Sequence, residues 1–303
     1  MTSFRLIPRF PTLTPFFHSI RTHSTQSNKP SHSWLVLMSL RNRTLRLYWL
    51  LTAQFGVDPR KMIRSFRGLP RYLRDLAAFR KGYKGRIEFL PCLHDWYDEG
   101  GSTKDEYFWQ DLLVARMVFE AKPEKHVDVG SRVDGFVAHV ASFRRIELFD
   151  IRPITTRIPG VTFKRSDLMS RDDAMTGYCD SLSCLHALEH FGLGRYGDSI
   201  DANGLESGLA NMARLLVDNG VFYLSLPIGV ARVEFNANRV CDPRVIVDLS
   251  RRNGLTLTAL TVIKPGGSII ERGLNDWDLT DLANNRYALG IFTFVKSAKT
   301  ESP

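Results

Sequence analysis

A chain of 303 residues, 44% hydrophobic and 24% charged, can bury the core of one sizeable α/β domain with an extension. Its formal charge of +9 is unevenly placed: residues 1–86 carry 17 Lys or Arg against the acids Asp58 and Asp75, and residues 87–303 carry 24 against 30. The basicity belongs to an N-terminal arm without a groove-reading motif, so nucleic acid is not an expected partner.

Residues 1–33 are rich in Ser, Thr, Pro, Phe and His and hold no acid. They resemble a transit segment or an upstream start with Met38 nearer the true beginning, and the second reading is preferred. Trp34–Val57 is apolar but broken by Arg41, Arg43 and Arg46, and its longest charge-free run, Leu47–Val57, is too short to span a membrane. Residues 1–57 are therefore expected to be a poorly ordered arm. Over 58–86, Leu69, Tyr72, Leu73, Leu76 and Phe79 share a helical face opposite Arg71, Arg74 and Arg80. Such a helix fits either an anionic membrane surface or a solvated position on the domain. Ser102–Glu120 reads as a helix with a Thr103/Glu106 capping box and an apolar face at Phe108, Leu112, Ala115 and Phe119. Residues 58–120 are assigned to a helical extension or lid, with Trp96, Tyr97, Tyr107 and Trp109 as its aromatic surface.

His126–Asp150 has the form strand, glycine turn, helix, strand, acid. Val133, Phe136, Val137 and Val140 carry the helical spacing. Gly130 permits the sharp turn, and Gly135 is expected to let the helix approach the strand. Asp150 follows Gly130 by 20 residues, where an acid accepts bonds from ribose hydroxyls. Arg132 stands at the middle glycine of a G-x-G-x-x-G reading and removes clearance for a pyrophosphate. That favours S-adenosylmethionine, which has none, over a dinucleotide.

Further strands are expected at 161–166, 180–185, 221–226, 255–263 and 287–295. A helix is marked by Leu205, Leu209, Met212 and Leu216, and another by Asp242, Pro243 and Gly254. The alternation gives a Rossmann-like, doubly wound α/β sheet of seven strands after the helical extension, with the domain over 121–298. Cys92, Cys179, Cys184 and Cys241 lack C-x-x-C spacing and read as buried thiols in a reducing cytosol.

HVDVGSRVDGFVAH, LFDIRP, LEHFGLGRYGD, LSLPIG, FNANR and the upstream YFWQDLLVAR resemble domain of unknown function 268, over about residues 58–297. GLGRYGD is the most specific run. The resemblance implies a class I methyltransferase-like fold with its last strand antiparallel. It also suggests a setting in surface-polysaccharide biosynthesis, and a sugar or other small polar acceptor.

In that reading Asp128 and Gly130 meet the cofactor's methionine half, Asp150 its ribose and Asp167 its adenine, with Ser131, Gly135 and His186 also on the cofactor. Asp128 and Asp167 can instead brace a turn and cap a helix. His186, Glu189 and His190 form H-x-x-E-H. This is also a zinc-hydrolase pattern, which requires both histidines on one helix face; here a strand runs directly into the motif, and no metal is expected. His190 or Glu189 is the candidate base. Arg195, Tyr196, Asn236 and Arg239 are the candidate acceptor contacts. The alternative to an enzyme is a methyltransferase-like binding or assembly module.

Overall fold

The computed structural model describes residues 44, 47–48, 50–101, 103–272 and 279–298. Most of the expected arm, and Ser102, lie outside them. Two compact units, Met1–Asp98 and Glu99–Pro303, divide the chain. The helix expected at 102–120 therefore groups with the sheet rather than with the basic segment.

In the first unit, Asp58 caps α1, Pro59–Gly82, by accepting from the Arg60 and Lys61 amides. Gly68 is its one buried residue, because the Leu93 carbonyl lies where a Cβ would project. Tyr72, Leu76 and Phe79 line a hollow beside Cys92 and Leu93, while Leu69 and Leu73 are exposed and stand outside it. The expected apolar face is thus split. No helix among the described residues is long and apolar enough to cross a membrane.

The second unit opens with α2, Glu106–Ala121. Its cap is Asp105, accepting from the Tyr107 amide, rather than the Thr103/Glu106 box. The buried face also differs from expectation: Gln110, Asp111, Val114, Ala115 and Val118 face inward, and Phe108, Leu112 and Phe119 are exposed. Polar side chains are tolerated inside because they pair, Gln110 Nε2 donating to Asp111 Oδ1 and the Ser225 hydroxyl to Gln110.

The sheet contains β1 (His126–Val129), β2 (Ile146–Asp150), β3 (Val161–Arg165), β4 (Cys179–Leu185) and β5 (Leu216–Ile228). A ribbon of β6 (Arg232–Glu234) and β7 (Asn238–Val240) stands apart. β8 (Leu255–Lys264), β9 (Ser268–Arg272) and β10 (Ala288–Lys296) close the chain. The order is β3-β2-β1-β4-β5-β10-β8-β9, with β1 to β5 parallel and β10 antiparallel to both neighbours. The seven expected strands are present. The eighth, β9, folds back on β8 through a turn at Gly266 and Gly267, inside what reads from sequence as a loop.

Between β1 and β2 a π turn, Val133–Val137, runs into α3, Ala138–Ala141; Phe136, Val137 and Val140 pack with Val114 and Val118 on one face of the sheet. α4 (Gly204–Leu215), α5 (Pro243–Arg252) and the short α6 (Leu279–Asn284) follow on the chain, and Leu209, Met212 and Ile246 join Leu182 and Phe222 in the core of the other face. β1 pairs with β2 on one side and β4 on the other, so successive crossovers diverge at its carboxyl end. That divergence leaves the crevice where such sheets bind ligands.

Candidate active site

The turn after β1 is held from beneath. Gly130 has φ +70°, donates to the Phe149 carbonyl at 2.9 Å, and would place a Cβ 3.0 Å from that of Ala187. Ser131 donates from Oγ to Asp128 Oδ1 at 2.6 Å and accepts there from the Leu185 amide at 3.1 Å. Ser183 also donates to Asp128 Oδ1, and His126 meets Ser181 and Ser183 with its two ring nitrogens. This polar spine stitches β1 to β4. Asp128 is fully buried, and burial raises its carboxyl to about 7 against the bonds from Ser131 and Ser183. Asp128 and Ser131 thus lie off the cavity and brace the turn. Gly135 lies off it too: its missing side chain makes room for Asp111 of α2 rather than for the strand.

Above the turn is a cavity of about 250 Å3. Gly130, Asp150, Asp167, His186, His190, Arg195 and Tyr196 line it, among the residues expected from sequence. Phe149, Leu168 and Phe191 give it apolar walls. Asp150 ends β2 with a nearly buried carboxylate, gripped by Arg152: the amide at 2.8 Å, Nε at 3.0 Å and Nη2 at 2.5 Å. Asp167 Oδ1 accepts from the Met169 amide at 2.9 Å, so it caps a turn and borders the cavity at once.

His186 leaves β4 at φ +51°, a region that costs a non-glycine residue energy. Its Nδ1 meets Glu189 Oε1 at 2.7 Å, its Nε2 stands 3.4 Å from Glu106 Oε1, and its ring lies on Tyr107 with centroids 4.6 Å apart. Tyr287 donates to the same Glu106 oxygen. Burial opposes charge on His186, but Glu189 and Glu106 prevail and raise it to about 9. Glu189 is fully buried and lies off the cavity, so its carboxylate serves His186. Leu188–His190 is a single 3-10 turn, which does not present the two histidines from one helical face as the zinc pattern requires. His190 borders the cavity; burial lowers its pKa, with Glu189 opposing and Arg195 adding.

The glycine-rich loop follows. Asp198 accepts from the Gly194 and Tyr196 amides, and Gly192, Gly194 and Gly197 all have positive φ. Arg239, expected at the acceptor, instead donates to the Phe191, Glu189 and Ala202 carbonyls and pins this loop. Asn236 sits at φ +63° in the β6–β7 turn, its amide 3.5 Å from the Leu193 carbonyl. Neither lines the cavity. Tyr107, expected in the aromatic surface of the lid, lines it, as do Arg132 and Arg152, which are not among the expected site residues. Arg152 carried a signal, two residues after the acid that ends β2.

Residues 157–247 match the family model described as a Caenorhabditis protein of unknown function, DUF268. The match is confined to this segment, under half of the chain. The DUF268 segment is narrower than the span of the sequence resemblance. It carries Asp167, the H-x-x-E-H run and the Arg195 loop, while Gly130 and Asp150 lie upstream. No curated protein matches the chain. Among solved structures, it is similar to 1,6-didemethyltoxoflavin-N1-methyltransferase of Burkholderia thailandensis, at 15% identity and TM-score 0.45, over 67% of this chain and 81% of that one. It is also similar to the N-methyltransferase NodS of Bradyrhizobium japonicum, at 14% identity and TM-score 0.43, over 67% and 92%.

Proposed function

We propose that the protein is an S-adenosylmethionine-dependent methyltransferase acting on a hydroxyl of a sugar or other small polar acceptor, in the cytoplasm. The carrying observation is that Asp150, at the end of β2, and the left-handed Gly130 turn share one cavity at the switch point of a methyltransferase-type sheet. The residues present fit the cofactor. Asp150 is a nearly buried acid placed for ribose hydroxyls, once it shares its oxygens with or yields them from Arg152. Asp167, with Leu168 and Met169, offers an acid and apolar surface for adenine. Gly130 keeps the floor open, and Arg132 obstructs the pyrophosphate of a dinucleotide.

The bound cofactor supplies an electrophilic methyl group. The chain's own contribution is a proton acceptor and a preorganised wall. His190, held neutral by burial, takes the acceptor's hydroxyl proton on a ring nitrogen. Glu189 keeps His186 protonated, so His186 serves as a fixed donor and cation at the cavity floor, not as a base. The family resemblance supports surface-polysaccharide biosynthesis as the setting.

The bidentate Arg152–Asp150 contact also supports a second reading, a binding module that no longer takes the cofactor. Calorimetry with S-adenosylmethionine and S-adenosylhomocysteine separates the two. Micromolar binding of either supports the enzyme; no heat from either at millimolar concentration removes it.

A further inference from the structure

The three arginines that line the cavity are not equivalent. Arg132 is paired with Asp134 at 2.7 Å, and Arg152 with Asp150. Arg195 has no carboxylate within salt-bridge distance among the described residues. Its Nη1 donates to the Ala237 carbonyl at 2.8 Å and stands 3.4 Å from His190 Nδ1. Asp198, the acid nearest in sequence, spends both oxygens on loop amides.

Arg195 is nonetheless held in place. Its guanidinium carbon lies 5.1 Å from the centroid of the Tyr196 ring, and that of Arg152 lies 4.3 Å from the same centroid. One ring thus gathers two cations, and all three residues border one cavity. Like charges so placed repel, and a carboxylate compensates only one of them. Ribose hydroxyls on Asp150 would further loosen its hold on Arg152, adding a second cation with donors to spare. Guanidinium forks bind carboxylate or phosphate through paired N–H bonds, and a neutral sugar offers no comparable partner.

We propose that the acceptor is an anion, bearing a carboxylate or phosphate that Arg195 grips beside Tyr196, with Arg152 as its second cation. The proposal rests on reading the cavity as a methyltransferase site. It places the charged end of the acceptor against the Arg195 loop and a hydroxyl near His190, which borders that loop and meets the Tyr196 ring edge-on at 5.4 Å.

The test uses the full chain saturated with S-adenosylhomocysteine and follows arginine Nε–H signals by NMR at constant chloride-balanced ionic strength. Sodium phosphate, sodium acetate and neutral methyl glucoside are the titrants. Phosphate or acetate should shift the Arg195 and Arg152 signals saturably in the millimolar range, and methyl glucoside should not. Preference for phosphate or acetate assigns the anionic group. In Arg195→Gln the Arg152 response should weaken about tenfold, while affinity for S-adenosylhomocysteine by calorimetry holds. No saturable shift, an unchanged response in Arg195→Gln, or exclusion of the anions by S-adenosylhomocysteine overturns the proposal. If S-adenosylhomocysteine fails to bind while the anions still do, the methyltransferase reading falls and the Arg195 anion site stands.

Discussion

His186 and Glu189 Oε1 form an ion pair at 2.7 Å with side-chain exposures of 6% and 0%, and Glu189 Oε2 has no hydrogen-bond partner among the described residues. Such a pair stabilises only while both members are charged. The folded state raises His186 from 6.5 to about 9 and lowers Glu189 below 4.5. The imidazole's contribution is therefore full below pH 6.5 and lost as pH rises through about 9. The carboxylate's contribution is present above pH 4.5 and lost as pH falls below it. Urea unfolding should show stability falling from pH 6.5 to 9. Glu189→Gln should cost about 3 kcal/mol at pH 6, where it leaves the buried imidazolium only the more distant Glu106 carboxylate, and flatten that decline. An unchanged slope in the variant would mean that His186 is neutral in the folded protein.

Asp150→Ala removes the acid expected to hold the ribose. Affinity for S-adenosylhomocysteine should fall by roughly ten- to hundredfold, equivalent to ~1–3 kcal/mol of lost hydrogen bonding. Arg152 is substantially exposed and can rehydrate, so the variant should stay folded by circular dichroism. Calorimetry showing wild-type affinity in folded Asp150→Ala would remove Asp150 from the cofactor site.

Much of this site is legible in sequence, and the exceptions share a cause. Gly130, Asp150 and the GLGRYGD loop are local signals: a strand end, a turn and positive-φ glycines announce themselves over a few residues. Asp128, Ser131 and Glu189 carry the same local signals, yet their side chains turn inward to Ser183, Leu185 and His186. Which way a polar side chain points depends on partners distant in sequence or hidden by a turn. Apolar spacing along α2 favours Phe108, Leu112 and Phe119 as its inward face. The helix buries Gln110 and Asp111 instead, satisfied by each other and by Ser225 of β5. β9 is hidden in the sequence because a hairpin after two glycines looks like a loop until β8 supplies its partner.

The glycine loop gives a further prediction. Gly192 has φ +76°, and a Cβ there would stand 2.0 Å from the Asp201 carbonyl oxygen. Gly192→Ala combines left-handed strain with a backbone clash that no rotamer relieves. It should cost about 3 kcal/mol or displace the loop that carries Arg195 and Tyr196. Gly197 also has positive φ but opens on free space, so Gly197→Ala carries the strain alone, at ~1 kcal/mol. Denaturant midpoints for the two variants should differ in that order; equal values would mean that the loop has room to shift away from Asp201.

The last prediction concerns α1. This helix carries eight Lys or Arg and one acid, Asp75. Met62, Phe66, Leu69 and Leu73 recur at helical spacing and are each at least 41% exposed. A helix with an apolar stripe and a basic surround suits the headgroup region of an anionic bilayer, where each Lys or Arg contributes about 1 kcal/mol at low ionic strength. We therefore expect the full chain to sediment with phosphatidylserine-containing vesicles and to be released as salt shortens the Debye length. Phe66→Ser with Leu73→Ser should weaken sedimentation at every salt concentration, because it removes the apolar anchor. Arg67→Gln with Arg74→Gln should weaken it chiefly at low salt. Neutral phosphatidylcholine vesicles retaining the chain equally well would leave the basic surround without a role. No sedimentation with either vesicle would make α1 a solvated helix.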